Sequence, residues 1–278
     1  MFRDRIKEHY ESLTPSFKRL GEFILNNEMD VAFMTATELA AMMGVDAATV
    51  VRFSQTLGYR GYRELSHEIQ RVVKADLTAR YAGFSEADTA AGQLRALMEN
   101  ERHNLEIAIG QVTDQGARIV ELLANAAHVW VVGEGGAYAL AEFFADQLCM
   151  AGVKACALNA GPAAAVGALS TLGQGDLLIG LGLPEAGADT AAVLRFARER
   201  GAGTAAVAVS AVAPPAQVAE HVLLCSANSP IGLPSAASLV TVLLVVWQAL
   251  LARKGERLAE HVATLRGISA NLRAQPAA

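Results

Sequence analysis

The chain has 278 residues, 53% of them apolar and 18% charged, a balance that supports one large core or two ordinary ones and excludes a disordered chain. Its formal net charge is −5, yet residues 1–80 hold 11 basic and 11 acidic side chains while the rest holds 12 and 17, so the acidity belongs to the second part. The opening MFRDRIKEHY has no apolar run of the kind a secretory signal needs. Cys149, Cys156 and Cys225 are an odd number, far apart and set in apolar segments, which predicts buried free thiols in a reducing cytoplasm and no disulfide. The six histidines are scattered without zinc spacing, so no metal and no cofactor is expected.

Before about residue 80 every plausible element is helical. Thr35-Ala36-Thr37-Glu38 reads as a capping box, in which Thr35 bonds an orphan N–H and Glu38 reaches back. The helix it opens carries Leu39, Ala40 and Met43 and stops at Gly44, with small Ala40 and Gly44 expected where two helices touch. Asp46 then caps a second helix, AATVVRFSQTL, after a turn too short for antiparallel packing. This is a helix-turn-helix, its small core supplied by Leu39, Met43, Val45, Val50 and Phe53.

With Val50, Phe53 and Leu57 facing inward, Ala47, Ala48, Thr49, Arg52, Gln55 and Thr56 turn outward. Small residues at the leading end allow approach to a major-groove floor. Arg52 suits guanine, Gln55 suits adenine, and the Ala and Thr methyls suit thymine. In the following GYRGY, Arg60 and Tyr62 are expected at phosphates, while Tyr59 fits either a phosphate or the core; Thr37 on the first helix joins the DNA-facing set. No carboxylate occurs between Asp46 and Glu64, whereas Arg52, Arg60 and Arg63 do, giving a local positive patch on a neutral domain.

Residues 89–124 read as one or two amphipathic helices, with Leu94, Leu97, Met98, Leu105 and Ile109 at helical spacing. Strands are expected at 128–132, 153–158, 176–182, 204–210 and 221–225, with helices at 137–151, 162–172, 188–200 and 235–252. Apolar strands alternating with helices imply a five-stranded parallel sheet covered on both faces. Residues 233–252 are uncharged and long enough to test as a membrane span, but Ser235, Ser238, Thr241 and Gln248 and the preceding strand pattern favour a helix between the sheet and a partner subunit. Leu258, Val262, Leu265 and Leu272 mark a last helix, packed on the domain or on a partner.

The stretch VVGEGGAYALAEFF (131–144) is a strand, a glycine-rich turn and a helix start, the usual shape of a phosphate cradle. Glu134 nevertheless puts a carboxylate in the turn, and Ala137 offers no hydroxyl. A dinucleotide fingerprint is excluded, because Tyr138 stands where G-x-G-x-x-G needs its last glycine.

TATELAAMMGVDAATVVRFSQTLGYRGYREL closely resembles the N-terminal domain of the RpiR family of bacterial transcriptional regulators, and LTPSFKRLGEFILNN (13–27) resembles the helix before it. The second part resembles the family's SIS (sugar isomerase) domain, so the resemblance spans almost the whole chain. It implies an all-α helix-turn-helix domain (1–80), a helical linker (81–124) and an α/β SIS-like domain (125–278). It also implies a cytoplasmic homodimer or homotetramer that binds double-stranded operator DNA and senses a phosphorylated sugar.

The effector positions that the resemblance marks are Gly133, Glu134, Gly135, Gly136, Ala137, Gly182, Pro184 and Gly187, and four of the family's phosphate-binding hydroxyls fall on Ala137, Gly182, Pro184 and Gly187. Ser235, with Asn228 and Ser229, supplies the remaining polar candidates. The site is therefore expected to take a sugar phosphate, a less anionic metabolite, or nothing beyond a role in dimerisation. A phosphosugar isomerase carrying an accessory DNA-binding domain is the alternative; it needs a phosphate grip and a base, and the chain is read as not an enzyme.

Overall fold

Each helix of the first core begins where the sequence supplies a cap or a charge. The structure, a computed structural model, describes residues 1–85, 89–112, 114–183, 187–253 and 255–274. By its contacts it divides into two units, residues 1–110 with 228–235, and residues 111–227 with 236–278.

The first unit opens with α1 (Phe2–His9), α2 (Pro15–Asn26), α3 (Glu28–Phe33), α4 (Ala36–Met43), α5 (Ala47–Thr56) and α6 (Tyr62–Ser85). Thr14 caps α2 by accepting from Phe17 N–H, with Pro15 in the first turn where its missing N–H costs nothing. Phe2, Ile6, Leu20, Ile24, Leu39, Val50, Phe53, Leu65 and Ile69 are fully buried in one cluster. Phe53 meets Phe17 edge-on, with ring centroids 5.6 Å apart, the arrangement that aromatic quadrupoles favour. Arg3 bridges Glu28 on α3 and Asp76 on α6, the latter at 2.8 Å; both carboxylates raise its pKa, although partial burial opposes them.

Gly44 ends α4 at φ +64°, in the left-handed region. A Cβ built there meets nothing within 4 Å. Gly44 therefore does not mark a helix–helix contact, as its small size suggested; the backbone angle is what requires it. Ala40 does sit in the core, 3% exposed.

After α6 comes α7 (Ala90–Gln111). Asn100 and Asn104 on α7 both donate to the Asn228 carbonyl, at 2.7 and 2.8 Å, which fastens segment 228–235 to this helix. Leu94, Met98 and Ile109 lie on the surface of the single chain.

The second unit contains α8 (Asp114–Asn125), β1 (Val129–Gly133), α9 (Gly136–Met150), β2 (Ala155–Asn159), α10 (Pro162–Ser170), β3 (Leu177–Gly182), α11 (Ala188–Glu199), β4 (Gly203–Ala208), α12 (Pro214–Val218), β5 (His221–Leu224), α13 (Ala237–Ala252) and α14 (Arg257–Ala274). All five strands are parallel, in the order β2-β1-β3-β4-β5. Helices α10, α11 and α12 cover one face, and α8, α9 and α13 the other. β3 is buried along its whole length, as a central strand covered on both faces must be. The five expected strands are all present within two residues at each end; α12, opened by Pro214 and Pro215, is an addition.

Two expectations about side chains change. Cys149 and Cys156 are exposed; only Cys225 is buried. Cys156 lies on the edge strand β2, whose outer side no further strand covers, so an apolar sequence setting did not imply burial there. Among the described residues, no helix is long and apolar enough to cross a membrane; α13 buries Leu239, Leu243, Val246 and Leu250. The last helix touches the same unit, with His261 Nε2 2.7 Å from the Met150 carbonyl oxygen.

Replacing Phe53 by Ala removes the ring at the centre of the helical core and should destabilise it by about 3–5 kcal/mol, read as a lower urea midpoint by circular dichroism. At Gly44, Asn should be tolerated far better than Val, because the position has room but a backbone angle that β-branched residues rarely adopt. Equal stability of the two variants would contradict this assignment.

Candidate functional site

In the helix-turn-helix, Thr35 accepts from Glu38 N–H at 3.2 Å while Glu38 accepts from Thr35 N–H at 2.7 Å. Asp46 Oδ1 accepts from Thr49 N–H at 2.6 Å and so fixes the first turn of α5. These bonds hold both carboxyls below their ordinary values, Glu38 through Thr35 and Asp46 through Thr49.

With Val50, Phe53 and Leu57 buried, the face left outside carries Ala48, Arg52, Gln55 and Thr56, all exposed, and half-buried Ala47 and Thr49. Arg52 is 63% exposed; its guanidinium donates to Thr49 Oγ1 at 3.0 Å and lies 3.8 Å from Asp46 Oδ1. It therefore leans over the leading end of its own helix. Thr37 and Arg60 are exposed as well.

The turn after α5 is fastened from behind. Arg5 donates to the Leu57 carbonyl at 3.0 Å and stacks over the Tyr59 ring at 4.5 Å, while Tyr59 OH donates to Glu68 at 2.6 Å. Tyr59 is thus core. So is Tyr62, which corrects its expected place at a phosphate. Only 6% exposed, it donates its hydroxyl to the Met34 carbonyl at 3.0 Å, and burial pushes its pKa up to about 12. The sequence hid this because a tyrosine beside two arginines looks the same whether its ring is buried or exposed.

In the second unit the strand order reverses between β1 and β3. In open α/β sheets, ligands bind beyond the carboxyl ends of the strands at such a switch point. The described residues there are 133–137, 182, 183 and 187, which include the expected effector residues except Ser235 and Pro184; Pro184 lies outside the described residues. Ser235 belongs to the other unit, with segment 228–235.

Gly133 closes β1 so tightly against α9 that a Cβ there would lie 2.6 Å from the Ala137 carbonyl oxygen. Ala137 N–H donates to Glu134 O at 3.0 Å and Tyr138 N–H to Gly135 O at 3.1 Å, so two first-turn donors are engaged within the turn. Ala137 is 1% exposed. Glu134 Oε1 is buried and has no hydrogen-bond partner. At Gly182 a Cβ would come 2.9 Å from Ala208 Cβ; at Gly187, buried with φ +121°, it would come 2.7 Å from Pro215 Cδ. Neither position has room for a serine or threonine.

An open cleft of about 420 Å³ is lined by Arg195, Arg198, Glu199, Gln217 and Val218. It adjoins the C-terminal half of α11, opposite the end that faces the switch point. Among the described residues no cluster of His, Cys, Asp or Glu is arranged to hold a metal.

A capped helix-turn-helix joined to a parallel sheet with a switch-point loop pair defines a two-domain regulator with a DNA-binding and a sensing part. The helix-turn-helix domain of the rpiR family matches residues 2–75, and the SIS domain matches residues 122–252. The chain is 30% identical to the sugar isomerase domain of an RpiR transcription factor from Sphaerobacter thermophilus, over 61% of this chain and 96% of that one, with a TM-score of 0.57. It is 25% identical over 232 residues to an uncharacterized HTH-type transcriptional regulator of Haemophilus influenzae, covering 80% of this chain and 78% of the relative. The Vibrio vulnificus NanR protein complexed with ManNAc-6P shares the fold over 99% of this chain and 100% of its own, at 20% identity and a TM-score of 0.60. The chain belongs to the RpiR family of transcriptional regulators, with an N-terminal helix-turn-helix and a C-terminal SIS domain.

The caps should make the helix-turn-helix domain less stable in acid. Asp46 and Glu38 have folded pKa values below their ordinary 3.8 and 4.5. Their stabilisation is therefore complete above those values and fades as pH falls through the folded ones. Asp46→Asn keeps the capping oxygen without the charge, and should flatten part of the acid limb of the helix-unfolding curve followed by circular dichroism. An acid limb identical to wild type would exclude Asp46 as a contributor.

Proposed function

We propose that this regulator binds operator DNA as a homo-oligomer, with α5 in the major groove and Ala47, Ala48, Thr49, Arg52, Gln55 and Thr56 at base edges, and with Thr37 and Arg60 at the backbone. The observation that carries this reading is Arg52: exposed, with its guanidinium toward the leading end of α5, held there by the Thr49 hydroxyl and by a solvent-exposed pair with Asp46. Two-fold pairing of subunits matches a palindromic operator, each half-site taking one α5. The protein acts in the cytoplasm, where such DNA is reached.

The SIS domain takes a small effector at the loops closing β1 and β3, and the ligand shifts the operator affinity. Fold supports the location, since these loops form the switch point. A sugar phosphate is the occupant that ManNAc-6P in the NanR structure suggests, but Glu134 opposes it. Like charges brought close together repel, which lowers affinity for an anion placed beside that carboxylate. The same departure counts against isomerase chemistry, which requires an aligned phosphate as well as a base. The role is regulatory.

Selection from random duplexes at moderate salt should return a two-fold-symmetric site; the absence of any enriched sequence would overturn the reading. On that site Arg52→Ala should lose about 1–3 kcal/mol and relax preference at one base pair. Arg60→Ala should weaken all duplexes alike and reduce the salt slope by about one. Gel-shift titrations at several salt concentrations separate the two effects.

A further inference from the structure

We propose that the cleft between α11 and α12 binds a small metabolite by one oxyanion group, a phosphate or a carboxylate, gripped by Arg195 and Arg198. The site is separate from the β1 and β3 loops and lies wholly within the second unit.

The first support is the placement of charge. Residues 111–252 hold ten acidic and only five basic side chains, yet three of those five are Arg195, Arg198 and Arg200. Arg195 and Arg198 line the cleft, together with Glu199, Gln217 and Val218. Residues three apart on a helix are neighbours on one face, so both guanidiniums can reach a single group between them. The fixed fork of arginine donors matches the paired oxygens of a carboxylate or phosphate, which the point charge of a lysine does not.

The second support is that the protein itself does not use these groups. Among the described residues, the side chains of Arg195, Arg198, Glu199 and Gln217 make no hydrogen bond or ion pair. Arg118 of the same unit, by contrast, pairs with Glu121 at 3.1 Å, and Arg200 stacks over the Phe196 ring at 5.2 Å. Arg198 stands in the last turn of α11, where a cation complements the helix dipole. Arg195 stands before that turn, and it does not pair with Glu199, although four residues is a spacing at which opposite charges meet. The cleft, at about 420 Å³, has the volume of a small-molecule site. Val218, packed against the core of that face, gives it one apolar wall. Glu199 offsets one of the two guanidiniums, so a ligand with a single acidic group suits the cleft better than a polyanion, and Gln217 can bond the hydroxyls of its body.

The test is calorimetric titration of the full-length protein at constant ionic strength with glucose, glucose 6-phosphate and gluconate, which share a polyol body and differ in the acidic group. At least one of the two acids should bind and glucose should not; which acid binds more tightly identifies the source of the oxyanion. Replacing both Arg195 and Arg198 by Ala should weaken that acid by about tenfold or more, as loss of charge-assisted bonds predicts. Replacing both by Lys keeps the charge without the fork and should also weaken it, while Glu199→Gln should tighten it. The variants should keep the wild-type melting temperature and operator affinity, because these side chains are exposed and lie outside the DNA-binding unit. Failure of both acids to bind, equal binding of glucose, or wild-type affinity in the double alanine variant overturns the proposal. In that last case the anion sits elsewhere, and the reading of the β1 and β3 loops as the effector site is untouched.

Discussion

The bond from Thr49 N–H to Asp46 Oδ1 decides where α5 begins, and the make-up of that helix's outward face follows from it. A helix turns by roughly 100° per residue, so shifting its start would rotate every side chain relative to the core beneath. With Asp46 as the cap, Val50, Phe53 and Leu57 point into the cluster around Phe2, Ile6 and Leu20. The opposite face is left with Ala48, Arg52, Gln55 and Thr56. Left-handed Gly44 turns the chain before the cap, and the Arg5–Tyr59–Glu68 cluster holds it after the helix. Both ends of α5 are thus fixed by local chemistry, which leaves its outer face free to be small at the front and polar behind.

The sensing part is arranged on a different principle. A parallel sheet needs helices on both faces, and the crossovers that supply them create one place where neighbouring connections diverge. In this sheet that place lies between β1 and β3, where the strand order reverses. In open α/β sheets such a place is where ligands commonly bind, and what a given chain can hold there depends on single side chains. Glu134 adds a buried acceptor, while Ala208 and Pro215 fill the space that hydroxyl side chains would occupy.

Legibility followed periodicity. The capping box at Thr35, the stop at Gly44 and the cap at Asp46 are short-range patterns, and the sequence shows them directly. The five strands were equally visible, because each is a short apolar run between turn residues. Burial of individual polar or small residues was less legible. Tyr62 reads as a surface tyrosine until α3 and α6 bring the Met34 carbonyl to its hydroxyl. Cys149 and Cys156 read as buried but are exposed, Cys149 on α9 and Cys156 on the edge strand β2. The helix α12 is short enough that only its paired prolines announced it.

From its order of residues alone, this chain determined a helix-turn-helix, a parallel α/β partner domain and the site of a glycine-rich turn, since caps, spacing and hydrophobic period act within a few residues. Tertiary structure alone decided which glycines are kept for backbone angle and which for lack of room. Gly44 has open space and a left-handed backbone, while Gly182 is confined by Ala208, 26 residues along the chain. The same holds for Glu134, whose Oε1 is buried without a hydrogen-bond partner, since the sequence alone does not say which atoms a fold shields from water.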